Sequence, residues 1–158
     1  MAKHDMQPVK NAFQVAVEKT PDISSAYCKG LQALSSVEAS KIIVTDKRLL
    51  DGSVDIDKAV KALYIDDNRW DYAIGYNSKI CFIEVHPAIT SEVETMKKKL
   101  LWLKLWLRSK APEMNQCPHT SPAYVWIQSG KGAILPGSRQ AKSLSLIGLT
   151  PVPILRLM

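Results

Sequence analysis

Two apolar runs, residues 70–76 and 80–85, are rich in β-branched and aromatic side chains and are separated by little more than Asn77 and Ser78. Runs of that kind read as strands, and a polar two-residue loop between them suits a tight hairpin. The period then changes. Residues 91–111 repeat their polar positions at helical spacing, and Glu94, Lys97, Leu101, Lys104 and Arg108 fall on one stripe at 100° per residue. Ser91 followed by Glu94 predicts a capping box at the start of this helix, and Pro112 predicts its end. From Leu100 onward nearly every other position is Leu or Trp. A helix with so narrow a polar stripe must be covered on more than one side. Trp102, Leu103, Leu105, Trp106 and Leu107 therefore predict a sheet on one side. On another they predict either the N-terminal helices or a second subunit, as in a homodimer.

The remaining pattern fills in an α/β chain. Residues 1–22 read as an N-terminal tail, partly flexible, with 12–18 a short helix or strand stopped by Thr20-Pro21. Residues 23–158 read as a single domain. Ala26, Tyr27, Leu31 and Leu34 predict a helix over 25–36, and the run KIIVT predicts a strand over 41–45. Asp51-Gly52 predicts a turn, and residues 54–64 predict a helix with Ile56, Val60 and Leu63 on one face. After the long helix come a polar loop over 112–122, a strand over 123–128, a turn over 129–132 and a short strand over 133–135. A helix over 137–147 with a glycine stop at Gly148 follows, then a last strand over 151–157. The expected architecture is a mixed central β-sheet flanked by helices.

Composition narrows the function classes only slightly. The 158 residues suffice for one domain with a substantial core. Twenty-one Lys and Arg against 15 Asp and Glu permit a polyanionic partner such as DNA or RNA. Cys28, Cys81 and Cys117 are odd in number and far apart, which suits reduced thiols better than a disulfide framework or a zinc site. No apolar run is long enough to span a bilayer, and the N-terminal residues lack the apolar core of a signal peptide. A cytoplasmic protein is the expectation. Ser129-Gly130-Lys131-Gly132 makes a turn but no phosphate loop, and Ser129 has no nucleophile context.

The hairpin holds the candidate chemistry. If Asn77 and Ser78 are the whole loop, Tyr76 faces Lys79, Asp71 faces Glu84 and Arg69 faces His86. Opposed residues of an antiparallel pair lie on one face, so two carboxylates meet. Such a pair is unfavourable unless a cation or basic group sits beside it, and without one a carboxyl pKa must rise. Arg69, Lys79 and Lys41 are the candidate neutralising side chains for a purely structural pair.

The order helix, strand, hairpin, long helix, strand, helix, strand, with Asp71 followed twelve residues later by Glu84-Val85-His86, resembles the PD-(D/E)XK phosphodiesterase (restriction-endonuclease-like) superfamily. That family carries an Asp on its second core strand and a (Glu/Asp)-x-Lys on its third. The resemblance implies that Asp71 and Glu84 are metal ligands together with the Val85 carbonyl, in an oxygen-rich site for Mg²⁺ or Mn²⁺. It implies a metal-dependent nuclease, or a catalytically inactive nuclease-fold protein that binds nucleic acid or assembles with protein. The motif lysine is replaced by His86. Lys97 or Lys98 on the following helix would then supply the fixed positive charge, and Glu38 or Glu18 the additional acid of the first helix.

Overall fold

The computed structural model describes residues 9–132 and 134–158. Its elements run α1 (Ala12–Glu18), α2 (Ser36–Ala39), β1 (Ile42–Val44), β2 (Leu50–Asp55), α3 (Ile56–Val60), β3 (Tyr72–Tyr76) and β4 (Lys79–Pro87). They continue as α4 (Val93–Lys110), α5 (Pro112–Gln116), β5 (His119–Ser129), α6 (Arg139–Leu146), β6 (Pro151–Val152) and β7 (Leu155–Leu157). The central sheet has the order β2-β3-β4-β5-β6. The pairs β2–β3 and β3–β4 are antiparallel, whereas β4–β5 and β5–β6 are parallel. A mixed five-stranded sheet flanked by helices is therefore the architecture.

The hairpin forms as the sequence implies. Asn77 and Ser78 both take positive φ, 49° and 61°, which gives the backbone twist a two-residue turn needs. Tyr76 pairs with Lys79, and the register runs unbroken to Tyr72 and Ile83. Alternation then sorts the strands. Ala73, Ile80 and Phe82 join the core beneath α4. Tyr72, Ile74, Tyr76, Cys81 and Ile83 join a second core, covered by β1, β7 and the segment around Leu34.

Several boundaries differ from expectation, each for a physical reason. α1 is not part of a tail. Asn11 caps it by accepting from the Gln14 N–H, and Phe13, Ala16 and Val17 are buried in the core. A Cβ on Gly75 would stand 2.5 Å from the Phe13 ring, so α1 rests directly on the hairpin backbone and the folded unit begins before residue 23. No helix forms over 25–36. Gly30 sits at φ 54°, and Cys28 exchanges both backbone hydrogen bonds with Ser53 instead. Asp51-Gly52 is a bulged part of β2, not a turn. A Cβ on Gly52 would meet the Tyr27 ring at 2.4 Å and the Cys28 carbonyl at 2.7 Å, so this glycine serves close approach. The strand beside the hairpin is thus β2, while KIIVT pairs with β7 in a separate two-stranded sheet. Residues 151–157 divide between the two sheets. The helix read over 54–64 is confined to α3. The expected strand over 133–135 includes Ala133, which lies outside the described residues; Ile134 and Leu135 are not in a strand.

α4 lacks the expected capping box. A 3₁₀ turn over Thr90–Glu92 precedes it, and Glu94 pairs with Lys97. Its aromatic flank is covered within the chain. Trp106 donates to Asp22, Trp102 donates to Asp67 and meets Tyr64 edge-on, and the two indoles stack. Leu103 and Leu107 are buried, while Leu101 and Leu105 are exposed. After Pro112 the expected loop begins with the short helix α5, whose Met114 is buried in the core. No helix among the described residues is long and apolar enough to cross a membrane.

Candidate functional site

The β3–β4 ladder stops one pair short of Asp71 and Glu84, and side chains take over the bonding. The Asp71 N–H donates to Glu84 Oε2 at 2.8 Å, and the Val85 N–H donates to Asp71 Oδ2 at 3.1 Å. The Asp71 carbonyl turns to the start of α3 and accepts from the Ile56 N–H at 2.8 Å. The two acids meet as the pairing count predicts, but each is held by the other strand's backbone. Within an extended strand the N–H and C=O of one residue point to the same edge. The Val85 carbonyl therefore also points to the Asp71 edge, past the end of β3.

Glu84 is fully buried, and its Oε1 accepts no hydrogen bond among the described residues. Its charged neighbour is the Lys99 ammonium, 2.5 Å away. Lys99 also donates to the Arg69 carbonyl at 3.1 Å. Burial first, and the Asp71 charge second, push the Glu84 carboxyl up to about 8; Lys99 pulls against both. Burial likewise pushes Asp71 up to about 6, opposed by Lys99 and by the Val85 N–H. Burial, more than mutual repulsion, thus holds both carboxyls above their ordinary range.

The candidate residues are only partly brought together. His86 is on the same side, with Nδ1 3.8 Å from Glu84 Oε1 and Nε2 2.8 Å from Glu92 Oε2. Lys97 is not at the acids; it pairs with Glu94 at 3.2 Å. Lys98 is exposed beside the Asp66–Asn68 segment. Glu18 pairs with Lys10 on α1, away from the site. Glu38 completes a capping box on α2 and accepts from the Tyr72 hydroxyl at 2.8 Å, on the other face of the sheet. Its charge still acts on Asp71, so it is the nearer of the two additional acids. None of the expected structural neutralisers is present. Arg69 binds Asp57 at 2.7 Å and the carbonyls of Tyr64, Ile65 and Asp67; Lys41 donates to the Gln128 carbonyl; Lys79 sits at the hairpin turn.

Lys99 and Glu92 were not singled out by the sequence reading. The signal for Lys99 was available: it stands three residues after Met96 and four before Leu103, both buried. Of the triplet Lys97-Lys98-Lys99 it is thus the one on the sheet-facing flank of α4. Glu92 carries no such signal, because a 3₁₀ turn, not a helical period, places it against His86.

Among the described residues no three His, Cys, Asp or Glu side chains are grouped to hold a metal. What the site offers is two carboxylates, one with an oxygen lacking any hydrogen bond, and a main-chain carbonyl at the same edge. Hard oxygen donors of this kind fit Mg²⁺ or Mn²⁺, which keep several water or phosphate ligands. No protein-family model matches the chain, and no curated protein or solved structure matches it.

Proposed function

We propose that the chain is a metal-dependent phosphodiesterase acting on DNA or RNA, with the Asp71–Glu84–Lys99 cluster as its active site and a restriction-endonuclease-like core. The carrying observation is the fully buried Glu84 carboxyl, facing Asp71 and ion-paired with Lys99. The order β2-β3-β4-β5, three antiparallel strands and then a parallel one reached through α4, supports the reading because it agrees with the core the sequence resembles.

Asp71, Glu84 and the Val85 carbonyl would hold Mg²⁺ or Mn²⁺. When bound, the cation supplies Lewis-acid charge and acidifies a water for attack on phosphorus. Lys99, the only one of its triplet at the acids, stands in for the motif lysine and offsets negative charge developing on the phosphate. His86 is fixed by Glu92 through Nε2, which leaves Nδ1 turned to Glu84. The test is cleavage of labelled DNA and RNA with Mg²⁺ or Mn²⁺. Asp71→Asn and Lys99→Met should each lower the rate at least about a hundredfold, the range for losing a positioned charge in a transition state. Wild-type protein that cleaves neither polymer overturns the reading.

One observation favours a second reading, a nuclease fold kept without catalysis. Lys99 already supplies a cation to Glu84, and His86 occupies the motif lysine's position. On that reading no Mn²⁺ binds at millimolar concentration, with or without nucleic acid.

A further inference from the structure

Charge is divided unevenly along the chain. From Thr95 to Met158 ten Lys and Arg stand against a single acid, Glu113, whereas residues 1–94 hold fourteen acids and eleven bases. Topology gathers part of the basic half on one side of the fold. β4, β5 and β6 are parallel, so α4 and α6 both start at the carboxyl ends of these strands, where Glu84 and His86 lie. Leu144 of α6 enters the same core as α4, which puts the two helices on one face of the sheet. Lys104 holds its ammonium 5.2 Å from the Tyr124 ring of β5, which turns this flank of α4 toward β5 and the chain that follows it. Arg139 and Lys142, three residues apart on α6, are exposed on one helical face. Lys131 is exposed in the intervening loop. That loop is drawn to the start of α4, since a Cβ on Gly132 would lie 2.8 Å from Ile89 and 2.9 Å from the Ala88 carbonyl.

We infer that Lys104, Lys131, Arg139 and Lys142 form a seat for the phosphate backbone of a nucleic acid, leading it to the strand ends that carry Asp71 and Glu84. Rows of bases with no acid partner among the described residues bind polyphosphate by releasing counterions. Leu101 and Leu105 of α4 and Leu146 of α6 are exposed as well, so a lipid surface is the competing occupant that the vesicle arm of the test separates. The assignment rests on the phosphodiesterase reading for the direction of the strand, not for its binding.

Binding is measured by fluorescence anisotropy with a labelled duplex and a labelled single strand, in EDTA, over a salt series. The expected result for wild type is affinity that falls steeply with salt. The Lys104→Gln/Arg139→Gln/Lys142→Gln variant should bind at least tenfold more weakly, with the log–log salt slope reduced by about 2–3, since each lost phosphate contact removes about 0.7–0.9. Lys47→Gln/Arg48→Gln, in the acidic half, should bind as wild type. Should the triple variant melt below wild type, Arg139→Gln/Lys142→Gln on the exposed face of α6 carries the same test with a slope change of about 1.4–1.8. Hydrolysis of thymidine 5′-p-nitrophenyl phosphate, too small to span the seat, is followed in parallel with Mn²⁺. Loss of oligonucleotide binding with hydrolysis retained supports the seat; binding without any hydrolysis by wild type supports it too, while removing the catalytic reading. Unchanged oligonucleotide binding by the variants, a flat wild-type salt response, or binding confined to phosphatidylserine-containing vesicles overturns it.

Discussion

At its closed end the β3–β4 hairpin is held by ordinary means. Tyr76 pairs with Lys79, the turn residues adopt the positive φ the twist requires, and Asp51 accepts from the Ser78 N–H at 2.9 Å. At its open end, five residues away on the same strand, the ladder gives way to two carboxylates that each accept from the other strand's backbone, with Lys99 paired to Glu84. The closed end places its charges at the surface, where they cost little. The open end buries Glu84 completely and gives its Oε1 the Lys99 ammonium as its charged neighbour. Burying a carboxylate costs several kcal/mol unless pairing offsets it. A hairpin needs no such arrangement to fold, as its own closed end demonstrates. The two ends of one hairpin thus handle charge differently, the closed end by exposure and the open end by pairing with Lys99.

The sharpest way to break this contrast is to empty the open end. Glu84→Ala leaves the Asp71 N–H without its acceptor and Lys99 without its ion-pair partner. The expected loss is about 3–5 kcal/mol, the range for breaking a buried pair from one side. Lys79→Ala, exposed at the closed end, should change stability by less than about 0.5 kcal/mol. Urea denaturation of both variants measures the pair of values. Equal losses would erase the difference between the two ends.

Titration gives the next largest effect. Glu84 is raised to about 8 and Asp71 to about 6, above the ordinary carboxylate range in which they titrate when unfolded. Below about pH 3 both states are protonated and the acids contribute nothing. As pH rises toward 8 the unfolded chain loses its protons first, so the folded state binds more protons and stability falls with pH across that window. Metal-free protein should therefore unfold at lower urea concentration at pH 8 than at pH 5, and Asp71→Asn should flatten the decline. Stability that climbs steadily from pH 5 to pH 8 would contradict the buried, raised pair.

Much of this contrast was legible in the residues. Two β-rich runs around Asn77-Ser78 determine register by counting, and register alone brings Asp71 to Glu84 and turns both toward α4. What could not be read depends on contacts between distant segments. Gly52 reads as a turn because its neighbours are polar, and only the approach of Tyr27 and Cys28 makes it part of β2. Arg69 sits opposite His86 by count, yet Asp57 and the carbonyls of the loop after α3 draw its guanidinium away. The choice of Lys99 over Lys97 and Lys98 turns on which flank of α4 faces the sheet, a matter of 100° in helical rotation that motif spacing does not contain.

A smaller effect sharpens the meaning of the open end. If Asp71 and Glu84 hold a divalent cation, Mn²⁺ at ten times its dissociation constant should stabilise the protein by about 1.4 kcal/mol. For a domain of this size that raises Tm by roughly 3–5 °C. Asp71→Asn should abolish the shift and leave the metal-free Tm unchanged or slightly higher, because an amide oxygen still accepts from the Val85 N–H without the buried charge. Differential scanning calorimetry with and without Mn²⁺ decides it. A variant that keeps the full shift would place the metal elsewhere.

The smallest expected change lies at the closed end. Ser78 holds φ at 61°, a region in which a side chain costs about 1–2 kcal/mol and glycine costs nothing sterically. Ser78→Gly keeps the backbone N–H that donates to Asp51, and Asn-Gly is the preferred pair for this turn. Against the relief stands the greater freedom of glycine in the unfolded chain, worth about 0.5–1 kcal/mol. The net expectation is a gain of about 0.5 kcal/mol, read as a higher urea midpoint with an unchanged slope. The same substitution should leave Mn²⁺ binding and any cleavage untouched, since the ladder between the turn and Tyr72 is regular. A Ser78→Gly protein that binds Mn²⁺ or cleaves differently would show that the two ends of the hairpin are coupled, and the contrast between them would then describe one site, not two.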